Sequence, residues 1–262
     1  KTAYEITYGD WSSNVCSSDL LVVTEIPGTF NGGTLVTSNA ANAVAANIVL
    51  RTNSNFNING IWNMDGGTNL IATAGGVLGN VQIGAGVSGA AVNLASNAFL
   101  NAGGFNLYIG TLSGGNSNSM TVNGGTVSNV VTFFVGGSTA AAAVYGNTLV
   151  ISNGGKVFAT TVENGANSAS GGTNTIIVTG TNSLLSLLGG GKLALGNAGG
   201  GGDAIQNNNA LIVSNGAVVN LPTGSLIVGS GAAGAGPNAG NVLIVTGPGS
   251  TIDRKSTRLN SS

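Results

Sequence analysis

Short apolar runs, each closed by glycine or asparagine, return along this chain at intervals of about 30 residues, the range of stacked-repeat architectures. That rhythm limits what the chain can fold into. The runs are three to five residues long and rich in Val, Ile and Thr, which suit a pleated, half-buried strand. Gly, Asn and Ser bound them and supply the positive φ and side-chain-to-backbone bonds of tight turns. One unit is a strand ending in Asn-Gly. It occurs at Thr121–Val127, Leu149–Val157 and Leu211–Val219, with Asn123, Asn153 and Asn215 near one and two periods apart. Asn31-Gly32-Gly33-Thr34-Leu35 reads as a shorter cousin. A second unit, apolar-x-apolar-Gly, ends at Gly84, Gly110, Gly136, Gly196 and Gly229, and the first three of these glycines are evenly spaced. A third pairs Ile176–Gly180 with Leu243–Gly247, near two periods later. The period drifts, as a solenoid with variable loops allows. Helical periodicity is nearly absent. Ala40–Leu50 reads as a short helix or a loop leading into a strand, and Ala140–Val144 is too short to nucleate a helix.

Such repeats cannot bury their apolar faces alone, so they stack. The pattern predicts an all-β parallel β-helix, or β-solenoid, of eight to ten coils. Coils spaced by about 4.8 Å would make a rod of about 40–50 Å. Valine, isoleucine and leucine would stack on their like inside, with glycine and asparagine at the corners. Stacked asparagine ladders are expected as structural features. Open ends would be adhesive sheet edges, and aggregation of the isolated chain is expected.

Composition narrows the chemistry. Glycine contributes 46 of 262 residues and charged residues only 6%, against about 7% and 25% in ordinary domains. The chain has no His, which excludes a His-based triad, a His proton shuttle and His-ligated metals. Seven basic and eight acidic residues give a net charge of −1, so the basic patch of a nucleic-acid binder is missing. No apolar run approaches the length of a membrane helix, and the greasiest stretch, Val127–Val135, is broken by Ser128, Asn129 and Thr132.

The two ends differ from the middle. Of the fifteen charged residues only Glu25, Arg51, Asp65, Lys156, Glu163, Lys192 and Asp203 lie between Leu21 and Ile252. The tail Asp253–Ser262 resembles, codon for codon, one frame of a common short-read sequencing adapter. Asp10–Leu20 resembles its reverse complement, departing only at Asn14, and Lys1–Glu5 resembles the flow-cell end of the same adapter. Residues 1–20 and 253–262 are therefore expected to be adapter-derived and non-native. Residues 21–252 are expected to be a β-helical repeat domain, a metagenomic fragment of a longer protein. On this reading Cys16, the only cysteine, carries no nucleophile or redox argument.

The repeat units resemble the glycine-rich repeats of autotransporter (type V secretion) passengers and of PEP-CTERM-associated exported proteins. The closest stretch is Leu211–Ile252: strand, Ser214-Asn215-Gly216, strand, Leu226–Gly231, a Gly/Ala loop, then Val242–Ser250. Leu149–Leu185 repeats that order loosely, with Gly180-Thr181-Asn182-Ser183 in place of Gly247-Pro248-Gly249-Ser250. The resemblance covers residues 107–252 well, and 21–106 in composition and rhythm. It implies a right-handed parallel β-helix exported to the bacterial cell surface, extracellular or on the outer membrane, and brings no shared catalytic residues.

Candidate chemistry is sparse. A carbohydrate-active β-helix, lyase-like or glycoside-hydrolase-like, is the alternative reading. It needs two carboxylates within about 10 Å on one face, beside an aromatic. Glu25, Asp65, Glu163 and Asp203 are scattered far apart in the sequence, with no local acidic pair. Gly199–Asp203 is a poor match to a calcium nonapeptide, and Gly189–Leu193 lacks the Lys-Ser/Thr of a phosphate loop. Phe56, Trp62 and Tyr108 are candidates for a sugar-stacking platform or for core packing, and Tyr145 is expected to be exposed. The sequence therefore predicts no catalytic residue, no metal and no cofactor. Together with the repeat, the resemblance implies a structural or adhesive passenger stalk, an adhesin, whose expected partner is a surface ligand or glycan and not nucleic acid.

Overall fold

The computed structural model describes residues 22–23, 29–30, 32–37, 47–52, 55–73, 79–137, 143–166, 171–197, 206–230 and 238–254. Every element among them is a strand, and every strand pairing is parallel, as in Ser119–Asn123 with Thr148–Ser152. The described residues form a β-solenoid of about six turns. Each turn runs through sheet A, turns a corner into the first half of sheet B, bends into its second half, and returns.

Sheet A has eight strands: Thr34–Thr37, Ile61–Met64, Ala91–Leu94, Ser119–Asn123, Thr148–Ser152, Thr175–Thr179, Ala210–Ser214 and Val242–Thr246. They stack without a register shift. Sheet B is bent. Its strand Ala98–Thr111 spans both halves, and its register against Thr126–Gly137 slips between Asn101 and Leu107. In the next pair the slip falls between Val127 and Val130. Gly103, Gly104 and Asn129 sit at this bend with positive φ.

Fewer turns form than the eight to ten expected, because most turns are longer than the even spacing of Gly84, Gly110 and Gly136 suggested. Successive equivalent positions lie 27 residues apart between Asn147 and Asn174, but 35 between Asn174 and Asn209. The outermost turns are incomplete among the described residues. The strand Thr251–Asp253, for instance, has no described partner in the second half of sheet B.

The period-2 alternation read in the sequence is what fills the core. On sheet A, Trp62, Val92, Met120, Leu149, Ile176, Leu211 and Leu243 stack in one inward column. In the second half of sheet B, Val81, Leu107, Phe133, Val162, Leu193 and Leu226 form another. These join one continuous core. Burying each Val, Leu, Ile or Phe contributes about 1.5–3 kcal/mol, and in a stack that gain requires the neighbouring turns.

The Asn-Gly units fall where a corner is needed. Asn123-Gly124-Gly125, Asn153-Gly154-Gly155 and Asn215-Gly216-Ala217 all join sheet A to sheet B. Gly32-Gly33 immediately precedes the sheet A strand Thr34–Thr37, so it belongs to the opposite corner, where the chain returns to sheet A. Both corners need residues that tolerate positive φ, so composition alone confuses them. Residues 38–46 and 138–142 hold most of the two alanine runs and lie outside the described residues; Asn47–Thr52 is a strand.

Candidate functional site

The most ordered polar feature is the corner where each turn re-enters sheet A. Asn118, Asn147, Asn174, Asn209 and Asn241 each stand one residue before a sheet A strand. Each is preceded by a residue of positive φ: Ser117, Gly146, Thr173, Asn208 and Gly240. The side chains form a ladder along the rod. Asn118 Nδ2 donates to Asn147 Oδ1 (3.3 Å), Asn147 to Asn174 (3.2 Å), Asn174 to Asn209 (3.0 Å) and Asn209 to Asn241 (2.9 Å). Each of these accepting oxygens also takes the backbone N–H of the asparagine one turn back, at 3.0 to 3.2 Å. Both lone pairs of every bridging oxygen are thus occupied. Asn118, Asn147, Asn174 and Asn209 are all buried, and a buried amide is tolerated only when satisfied in this way.

A second column makes room for the ladder. Gly84, Gly110, Gly136, Gly165 and Gly196 end the apolar-x-apolar-Gly units in sheet B, all with φ between 64° and 73°. A Cβ on any of them would overlap an asparagine side chain, Asn118, Asn147, Asn174, Asn209 and Asn241 respectively. Glycine is required twice over, by φ and by space. Gly165 is the member that escaped the sequence reading, since Val162-Glu163-Asn164-Gly165 carries Asn164 where the other units have an apolar residue. Its signal was available in the spacing: it follows Gly136 by about one turn.

The candidate chemical groups do not assemble. Glu25 and Asp203 lie outside the described residues, as do Cys16 and Gly199–Asp203. Asp65 is exposed at a corner two residues before the sheet B strand Gly67–Thr73. Glu163 lies three strands further along that sheet, so their separation along the axis alone is about 14 Å. Glu163 instead pairs with Lys192 at 2.7 Å. That same Lys192 follows Gly189-Gly190-Gly191 and leads into a strand, which leaves no phosphate cradle.

Nor do the three aromatic candidates share a face. Trp62 and Phe56 are inside the core, ring centroids 5.9 Å apart and edge-on, with Trp62 Nε1 donating to Thr37 Oγ1. Tyr108 is on the outer side of sheet B, stacked on Phe134 at 4.5 Å, but the two rings are only 2% and 8% exposed. Burial pushes the Tyr108 hydroxyl above its usual pKa, and the nearby Glu163 adds to the rise, while a hydrogen bond with Asn106 opposes it. Tyr145 is exposed, as expected, at a bridge to Gly172. A shallow groove of about 430 Å³ is lined by Gly154, Lys156, Asn182, Ser183, Leu184 and Val218.

The outer face of sheet A is the other extended feature. From Ser119 onward it presents three rows: Ser119, Thr148, Thr175, Ala210 and Val242; Thr121, Val150, Ile177, Ile212 and Ile244; and Asn123, Ser152, Thr179, Ser214 and Thr246. None of them is charged. Among the described residues no group of three His, Cys, Asp or Glu side chains is placed to hold a metal. No helix there is long and apolar enough to cross a membrane.

Fold and corner together define a parallel β-solenoid repeat protein. No protein-family model, curated protein or solved structure matches the chain.

Proposed function

We propose that the chain is part of a structural or adhesive stalk of an exported bacterial surface protein, acting by presenting a surface and not by catalysis. The observation that carries this reading is the outer face of sheet A: eight strands in unbroken register, with methyl and hydroxyl rows and no charge. Such a face suits contact with a neutral partner, a surface glycan above all, and offers nothing to a polyanion. The wide spacing of Asp65 and Glu163 supports a non-catalytic role over the carbohydrate-active alternative, which needs paired carboxylates. We infer that the solenoid is right-handed, because crossovers between parallel strands of one sheet take that hand in about 98% of cases. Location at the cell surface rests on the resemblance to passenger repeats.

The test is adsorption of the purified chain to films of neutral polysaccharide, followed by mass uptake. Ile177→Glu with Ile212→Glu places two charges on the outer face without touching the core, and is expected to lower uptake several-fold with the β circular dichroism unchanged. Unchanged uptake, or new reducing ends or unsaturated products released from the polysaccharide, would overturn the reading.

A further inference from the structure

The corner where the chain leaves sheet A is irregular at one place. Ser152, Thr179 and Ser214 pair across sheet A, and Lys156, Leu184 and Val218 pair across the first half of sheet B. The corner between Thr179 and Leu184 is therefore one residue longer than those on either side. It carries Asn182, exposed and with a φ of 66°. Beside it runs the groove of about 430 Å³ lined by Gly154, Lys156, Asn182, Ser183, Leu184 and Val218.

Two polar groups on this groove are uncommitted. At the neighbouring corners Asn153 donates from Nδ2 to Asn123 Oδ1 at 2.7 Å, and Asn215 to Thr179 Oγ1 at 3.0 Å. Among the described residues the Asn182 amide has no such partner. Lys192 is held by Glu163, whereas the exposed Lys156 has no carboxylate partner among the described residues. The wall between these two groups is fixed. Ser183 Oγ takes the Gly154 N–H at 3.0 Å and donates to the Thr179 carbonyl at 2.7 Å, which ties two turns together. Leu184 and Val218 are only partly buried. They stand side by side in adjacent strands, about 4.8 Å apart, and form an aliphatic floor.

We propose that this groove binds an acidic sugar residue, a pyranose ring carrying one carboxylate. The Lys156 ammonium would take the carboxylate as a point charge. The Asn182 amide, which can both donate and accept, would meet a ring hydroxyl. The C–H face of the ring would lie on Leu184 and Val218. One cation matches one negative charge, which favours a carboxylate over a phosphate group of nearly twice that charge. The aliphatic floor favours a ring over a bare ion, and the volume falls within the range of small-ligand sites. The groove lies on sheet B and its corner, so it is a second site and does not rest on the adhesive reading of sheet A.

The probe is a glucuronic acid tetramer, labelled at its reducing end and titrated into the full 262-residue chain by fluorescence anisotropy in low salt. Saturable binding is expected, weakened by added salt. Methyl esterification of the tetramer, or Lys156→Gln in the chain, should each weaken binding about fivefold. Asn182→Gly keeps the positive φ without strain and removes only the side chain, and should weaken binding about threefold. Lys255→Gln, which removes a basic charge from the tail, should change nothing. Circular dichroism should be the same for all three variants. Absence of binding, equal affinity of the esterified tetramer, or indifference to Lys156→Gln or to Asn182→Gly would each overturn the proposal. So would a loss at Lys255→Gln as large as at Lys156→Gln, or acetate competing as well as methyl glucuronide, since the ring would then contribute nothing. None of the substituted residues is on the outer face of sheet A, so this proposal and the adhesive reading fail separately.

Discussion

The corner that returns to sheet A is built in two ways along one molecule. From Asn118 onward it is a buried amide ladder. In the two turns before, the same register position holds Gly60 and Ala90. Ala90 has no amide side chain to extend the ladder; its N–H donates to Asn118 Oδ1 at 2.8 Å and its carbonyl accepts the Ser119 N–H at 2.9 Å. The cause lies across the rod. Continuing the register of Ile58 with Ile83, the residue opposite Gly84 is Asn59, whose Oδ1 accepts the Ala85 N–H at 3.0 Å. An asparagine at position 90 would have to share space with that side chain. The ladder asparagine and the glycine beneath it are therefore one unit: where the glycine is absent, so is the asparagine.

The sharpest break of this unit is Gly136→Leu. The new side chain would both impose a positive-φ strain and drive into Asn174. Strain and overpacking together are expected to cost about 3 kcal/mol or more, read as a lowered urea midpoint. Gly189→Ala is the control. Gly189 has a similar φ of 73° but nothing within 4 Å of its Cβ direction, so about 1 kcal/mol is expected. Equal losses would mean that backbone strain alone explains the column.

Removing the amide tests the other half. Asn147→Leu keeps the bulk but strips the acceptor from the Asn118 backbone N–H and its Nδ2. Stranding buried donors costs about 1–3 kcal/mol. Building the unit where it is missing tests the pairing itself. Ala90→Asn alone should destabilise, whereas Ala90→Asn with Asn59→Gly should recover part or all of that loss. A coupling of about 0.5–3 kcal/mol in the double-mutant cycle is expected. Strict additivity would refute the pairing of positions 59 and 90.

The same unit shows what could be read from the sequence. The strands and the glycine column were legible, because inward packing demands alternation and the column demands glycine at one fixed place per turn. The ladder was legible only as a tendency. Asparagine also caps the other corner, where Asn153 and Asn215 adopt positive φ, and only the three-dimensional register separates buried Asn147 from exposed Asn153. Gly165 was hidden because its turn admits Asn164 into an apolar column, where Nδ2 donates to the Asn174 and Ala210 carbonyls. The number of turns was overestimated because loop length varies freely between fixed strands. The candidate acids could not be placed for the same reason: distance along a solenoid depends on which turn a residue occupies, not on residues counted.

A smaller effect contrasts the two faces of sheet B. Tyr108 is on the outer side yet buried, and its hydroxyl titrates above the ordinary 10.0. Below pH 10 the phenol is neutral in both folded and unfolded chains, and stability is unaffected. As pH rises past 10 the unfolded chain ionises first, so folded stability falls until the folded phenol also ionises. Tyr108→Phe should flatten this alkaline loss. Melting temperatures of both proteins between pH 8 and 11 measure it; parallel curves would show that the phenol is not held neutral by the fold.

The smallest expected effect is at Glu163, which stands opposite Phe134 in the same outward column. Glu163 is largely buried, but its partner Lys192 is 36% exposed, so solvent screens the pair. A bridge of this kind contributes at most about 1 kcal/mol, well below the cost of a ladder asparagine. Lys192→Met should therefore lower stability by less than Asn147→Leu, in low salt as in high. A larger loss for Lys192→Met would mean that the outer side of sheet B, with its covered aromatic pair, is held by charge and not by stacking. The solenoid would then depend on a chemistry that only 6% of its residues can supply.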